Sequence, residues 1–159
     1  LFTGKVLNVT PWPDRVGVEL GGSLKNVIAV GAGILDGLGA GANTKAALLV
    51  GGLREMARLI RASGGRQDTV YGLSGLGDLI ATGTSSESRN RAFGEKLGRG
   101  LSPKRALAEI PTVVEGVEAA LSARALCRKH RVQAPLIDAI YGATRGAPAR
   151  RVLTALGFR

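Results

Sequence analysis

Residues Gly17-Val18-Glu19-Leu20-Gly21-Gly22-Ser23-Leu24-Lys25-Asn26-Val27-Ile28-Ala29 decide how the rest of the chain reads. Leu20, Leu24, Val27, Ile28 and Gly31 recur near the 3.6-residue period of a helix. The small residues Gly21, Gly22, Ala29, Gly31, Ala32 and Gly33 would let another backbone come close. Each mid-helix glycine costs about 0.5–1 kcal/mol, so tertiary packing has to hold this helix together. Lys25 and Asn26 fall among apolar residues rather than on an obvious wet face.

Towards the C-terminus the helical pattern continues. Gly37, Gly39 and Gly41 break the first helix as a loop. A second helix is expected from near Asn43, a plausible cap, to about Ala62. Ala46, Ala47, Val50, Leu53, Ala57 and Ile60 form its expected packing stripe, with Glu55, Arg58 and Arg61 on more polar positions. Thr69 to Gly83 reads as loop with a short helix. Ser85, Ser86 or Ser88 can cap a helix over Arg89 to Leu97, and Ser102-Pro103 signals another through Ala108. Val114 to Lys129 reads as a helix with Val117, Ala120, Leu121 and Leu126 inward. Pro135 restarts the chain into Leu136 to Tyr141, and Pro148 precedes a last helix over Ala149 to Leu156. The expected class is all-α, with short links and antiparallel packing.

Towards the N-terminus the character changes. Phe2 to Val9 reads as a short extended piece, and Pro11-Trp12-Pro13-Asp14 interrupts it. A lone strand needs a sheet partner, and none is evident.

Composition bounds the chemistry. The chain has 159 residues, 45% hydrophobic and 21% charged, which suits one globular domain. One Cys and one His exclude a disulfide framework and a cysteine-rich or multi-histidine metal centre within the chain. Cys127 reads as a small buried hydrophobe and His130 as a residue near a helix end. No uninterrupted apolar run is as long as a membrane helix needs. The opening Leu1-Phe2-Thr3-Gly4 is no signal peptide, so the cytosol is the expected compartment. The formal charge of +10 invites a nucleic-acid reading. However, the basic clusters (Arg124, Arg128, Lys129 and Arg131; Arg145, Arg150, Arg151 and Arg159) lack interleaved aromatic platforms. A surface that attracts a small anion explains the charge better.

Three polar clusters sit among small residues, each with a bland reading beside a functional one. Lys25 and Asn26 are either a snorkelling lysine beside a helix-bonding asparagine, or a base with its neighbour. Asp78 in Gly75-Leu76-Gly77-Asp78-Leu79 is either a helix cap or a carboxylate at a close backbone approach. Ser88-Arg89-Asn90 is either a cap followed by solvated side chains, or a phosphate or carboxylate clamp. Gly37-Leu38-Gly39-Ala40-Gly41 lacks the strand and the later acid of a dinucleotide fingerprint.

Taken in order, Gly17 to Ala29, Asp36-Gly37-Leu38-Gly39, Asn43-Thr44-Lys45-Ala46-Ala47, Gly75 to Leu79, Ser88-Arg89-Asn90 and Val114-Glu115-Gly116 resemble the NAD(P)-dependent glycerol-3-phosphate dehydrogenase family over nearly the whole chain. The resemblance implies a two-domain oxidoreductase that interconverts sn-glycerol 3-phosphate and dihydroxyacetone phosphate with NAD or NADP, in glycerophospholipid metabolism. Residues 17–159 would be its helical substrate-binding domain, of the 6-phosphogluconate dehydrogenase C-terminal-like type. Residues 1–16 would be the last strand and linker of a preceding Rossmann domain. Alone, the chain would be inactive.

By the same resemblance Lys25 is the catalytic proton acceptor and donor, and Asp78 the acid that contacts substrate and holds it. Ser88, Arg89 and Asn90 bind substrate with them. Arg89, Val113 and Glu115 touch the cofactor from the helical side. Asn26 and Thr82 are weaker candidates for the same pocket. No metal is required, because the nicotinamide carries the hydride chemistry. A homodimer is a possible assembly, and neither a membrane span nor dedicated nucleic-acid binding is expected. The rival reading is a basic helical nucleic-acid-binding or scaffold module without catalysis.

Overall fold

Asp14 starts the fold. In the computed structural model, which describes Gly4 and residues 7–158, its carboxylate accepts the Gly17 N–H at 2.9 Å and opens α1, Arg15–Gly37. The same carboxylate accepts the Arg66 N–H at 2.8 Å and the Thr69 hydroxyl at 2.6 Å. Thr69 in turn accepts the Trp12 indole N–H at 2.9 Å, which ties the lead-in to the body of the domain. Bonding from Thr69 first, then from the Gly17 amide, holds the Asp14 carboxyl below its usual range.

The strand expected over Phe2 to Val9 is not seen. No strand occurs among the described residues, and Gly4 N–H donates to Leu7 C=O at 2.8 Å. Residues 1–3 and 5–6 lie outside the described residues.

Helix α1 is the axis, and 13 of its residues are buried. Around it lie α2 (Ala42–Ala62), α3 (Asp78–Thr84), α4 (Arg89–Gly98), α6 (Glu115–His130) and α7 (Pro135–Thr144). The short α5 (Pro103–Ala108) and α8 (Arg151–Ala155) close the outside, making eight α-helices among the described residues. By length and composition α1 could cross a membrane, yet 67% of its most apolar window is buried by its neighbours. Every residue from Asn26 to Leu35 is buried, so the apolar stretch of α1 is packed on all sides by its neighbours.

Glycine sets the closest packing. A Cβ on Gly33 or Gly37 of α1 would strike the carbonyl oxygens of Arg91 or Glu95. On Gly94 or Gly98 of α4 it would strike those of Val30 or Ile34. Each helix thus carries a glycine pair four residues apart that receives the other's backbone. The contacts step from Val30–Gly94 to Ile34–Gly98, so the two helices run parallel. Beyond the glycines, Asp36 binds Lys45 of α2 and Arg91 of α4, each at 2.7 Å.

The sequence reading of α2 holds for its C-terminal half, where Ala57 and Ile60 are buried and Leu53 packs against the core, and fails for its first turns. Gly41, not Asn43, is its N-cap. Ala46, Ala47 and Val50 are exposed, whereas Leu48, Gly52, Glu55, Met56, Leu59 and Ile60 are buried. Two inward positions are not apolar side chains: Gly52 receives Ile28, and Glu55 accepts the N–H groups of Leu136 and Ile137 at 2.9 Å each. Glu55 thereby caps α7, whose own N-cap, Ala134, cannot. In α6, Leu121 faces solvent, and Ala119, Ala123 and Cys127 take the inward places beside Ala120. Burial pushes the Cys127 thiol up to about 11, so it packs rather than reacts.

Candidate functional site

Three local devices bring the site together. Lys25 and Asn26 come from the middle of α1. Asn26 is buried at 6% exposure and Lys25 is half-buried. Asp78 comes from an irregular segment: a 3-10 turn, Gln67–Tyr71, then a π turn, Leu73–Gly77. One glycine lets that segment lie against α1, and another lets it fold on itself. Gly21 faces the Ser74 carbonyl, and Gly75 faces the Val70 carbonyl. Asp78 is then delivered as the first residue of α3, not as its cap.

Lys25 Nζ meets Asp78 Oδ2 at 2.5 Å. Their side chains are 18% and 39% exposed, so the pair is open to a ligand rather than sealed in the core. Thr82, one turn along α3, makes a long 3.5 Å contact to the other Asp78 oxygen.

The third contribution is the N-terminus of α4. Ser88 caps it, its Oγ accepting the Arg91 N–H at 3.2 Å. This leaves the Ser88 O–H free to donate, so capping and ligand binding are compatible in one hydroxyl. Arg89 is exposed, and its guanidinium has no acid partner among the described residues. Asn90 is buried at 8% exposure. Its Oδ1 accepts the Gly116 N–H at 2.8 Å, and its amide donates to Asn26 Oδ1 at 2.9 Å. One N–H of Asn90 therefore remains for a ligand.

A cavity of about 320 Å3 is lined among others by Lys25, Thr82, Ser88, Arg89, Asn90 and Glu115, while Asp78 lies outside its wall and meets it only through Lys25. Glu115 opens α6 and accepts the Asn26 amide at 3.1 Å. Val113 does not join them: it is 74% exposed on the loop before α6 and outside the cavity wall. Ser85 and Glu87 also line the cavity. Glu87 was not singled out from the sequence, although its place beside Ser88 in the α3–α4 link was the available signal. An ammonium, an unpaired guanidinium and a helix N-terminus around one opening suit an anionic ligand with a polar carbon centre. The carboxylate beside the ammonium can hold it in place for proton transfer.

Known proteins share this architecture. A glycerol-3-phosphate dehydrogenase [NAD(P)+] of Trichlorobacter lovleyi is 48% identical over 159 residues, covering 99% of this chain and 48% of that protein. One from Pelotomaculum thermopropionicum is 52% identical over 141 residues, covering 89% of this chain and 40% of its own length. The crystal structure of a glycerol-3-phosphate dehydrogenase from Coxiella burnetii superposes with a TM-score of 0.93 at 40% identity, covering 99% of this chain and 49% of that one. The chain thus spans about half the length of the relatives it matches. The family model described as NAD-dependent glycerol-3-phosphate dehydrogenase C-terminus matches residues 14–152, and the chain belongs to that family.

Proposed function

We propose that this chain is the substrate-binding half of an enzyme that interconverts dihydroxyacetone phosphate and sn-glycerol 3-phosphate with NAD(P)H. The observation that carries the reading is the Lys25–Asp78 pair at 2.5 Å, beside a cavity that also holds Ser88 and Arg89. In this account the substrate phosphate takes the Ser88 hydroxyl, the Arg89 guanidinium and the first amides of α4. The carbon chain then runs towards Lys25, with the C2 oxygen at Nζ. In the reducing direction Lys25 gives that oxygen a proton as C2 gains a hydride, and in the oxidising direction it takes the proton back. Asp78 keeps Nζ aimed at the oxygen, and Asn90 has one N–H to add to the substrate.

When bound, the nicotinamide supplies or accepts the hydride. Arg89 and Glu115 fit a cofactor lying over the cavity from outside this domain, and Val113 extends that side. The reading takes residues 1–16 as the end of a preceding nucleotide-binding domain and leaves the chain inactive by itself. It includes cytoplasmic residence, since such an enzyme draws on a soluble nicotinamide pool.

The test is the 340 nm absorbance of NADH or NADPH with dihydroxyacetone phosphate, using the complete protein that contains this chain. Wild type is expected to consume the cofactor, and Lys25→Ala to lose at least about 10²-fold in kcat, as loss of a positioned proton donor does. A folded complete protein that turns over neither cofactor would reject the reading.

A further inference from the structure

Four groups close a ring beside the Lys25–Asp78 pair. Gly116 N–H donates to Asn90 Oδ1 at 2.8 Å, Asn90 Nδ2 donates to Asn26 Oδ1 at 2.9 Å, and Asn26 Nδ2 donates to Glu115 Oε2 at 3.1 Å. The peptide bond between Glu115 and Gly116 completes it. The direction of every bond is fixed. A backbone N–H can only donate, so Asn90 must present its oxygen to Gly116 and its amine to Asn26. Asn26 must then present its oxygen to Asn90 and its amine to Glu115, whose ionised carboxylate can only accept. Both ends of the chain are set by neighbours on α6, and neither asparagine can flip without breaking two bonds.

The two asparagines are buried, at 6% and 8% exposure, and among apolar neighbours such a network is costly to leave half made. Gly116 has no room for a side chain: a Cβ there would meet Val30 and the Asn26 carbonyl. The start of α6 is thus pinned to α1 and α4 through the ring. Asn26 neighbours Lys25, and Asn90 neighbours Arg89.

We infer that Asn26 is a positioning residue that couples the Glu115 side of the site to the Asn90 side. By holding Asn26, Glu115 also holds Asn90, and so fixes where Asn90 directs its remaining N–H. This inference rests on the proposed function, in which Glu115 faces the cofactor and Asn90 the substrate.

The test uses the complete protein and steady-state kinetics with NAD(P)H and dihydroxyacetone phosphate. Crosswise effects are the readout. Glu115→Ala should raise KM for dihydroxyacetone phosphate, and Asn90→Ala should raise KM for the cofactor, each about tenfold, the scale of a hydrogen bond with a charged partner. In an Asn26→Ala background both crosswise shifts should shrink to less than about twofold, since contributions without a shared partner become independent. Asn26→Asp is the second variant. It keeps the size and the acceptor for Asn90 but sets a carboxylate against Glu115, so it should lose the crosswise shifts without opening a cavity. Wild-type turnover with crosswise shifts that are absent, or that persist in both Asn26 variants, would overturn the inference and leave the proposed function standing. A lower melting temperature with unchanged kinetic constants in the Asn26 variants would also overturn it, because the ring would then be structural only. Absence of wild-type turnover would instead count against the proposed function.

Discussion

Glu55 shows what one buried carboxylate does in this fold. It is 3% exposed, accepts two N–H groups at the start of α7, and has the Arg58 guanidinium at 4.0 Å. Burial raises its pKa, and the two amide bonds only partly oppose that. An acid raised in the folded state binds its proton there at pH values where the unfolded chain has lost it. Its contribution is therefore greatest below the ordinary carboxylate range and declines as pH rises through the raised value. Glu55→Gln leaves one of the two N–H groups without its oxygen, which should cost about 1–3 kcal/mol. The deficit should be largest near about pH 4 and narrow towards pH 7, as followed by urea unfolding. A deficit that widens towards neutral pH would contradict this account. Glu55 was not legible in the sequence, where a glutamate among arginines reads as a wet face. Lys25 and Asp78 were legible as candidates because they interrupt an apolar and a glycine-rich run, and Ser88, Arg89 and Asn90 because they fall together at a helix start. Their convergence was expected from the family resemblance alone, since it depends on the π turn and on Gly21 and Gly75, which no local pattern reveals.

At the level of elements, the α1–α4 contact carries the sharpest expectation. Gly94→Ala would drive a methyl into the Val30 carbonyl, a backbone atom that cannot rotate away. Overpacking of this kind costs about 1–3 kcal/mol or more, and here it would also shift the first turn of α4, which carries Arg89. Gly22→Ala is the opposite case. It lies within α1 with nothing in reach of its new Cβ, and should stabilise by about 0.4–1 kcal/mol. Thermal melting of both variants checks the pair; similar losses from each would show that helix propensity, not backbone contact, governs these positions. The helices themselves were readable from periodicity and from Ser88, Ser102, Pro103 and Pro135. The inward face of the first half of α2 was not, because a hydrophobic pattern cannot show that Gly52 is filled by Ile28 or that Val50 is left outside.

Over the whole molecule, the +10 charge is better matched to a small anion than to a polymer. Arg124 in one basic cluster is already engaged, 3.3 Å from Asp138 and 4.6 Å over the Tyr141 ring. Arg89 at the cavity has no acid partner among the described residues. An anionic substrate drawn in by this field should show kcat/KM falling several-fold between about 20 and 300 mM salt, with kcat little changed. A salt-independent kcat/KM would confine the attraction to the contacts in the site. The most direct measurement is a crystal structure of the complete protein with dihydroxyacetone phosphate bound. The phosphate should lie on Ser88, Arg89 and the first turn of α4, with the C2 oxygen about 2.6–3.2 Å from Lys25 Nζ and Asp78 still paired to it. A phosphate bound away from α4, or a C2 oxygen out of reach of Lys25, would contradict the account.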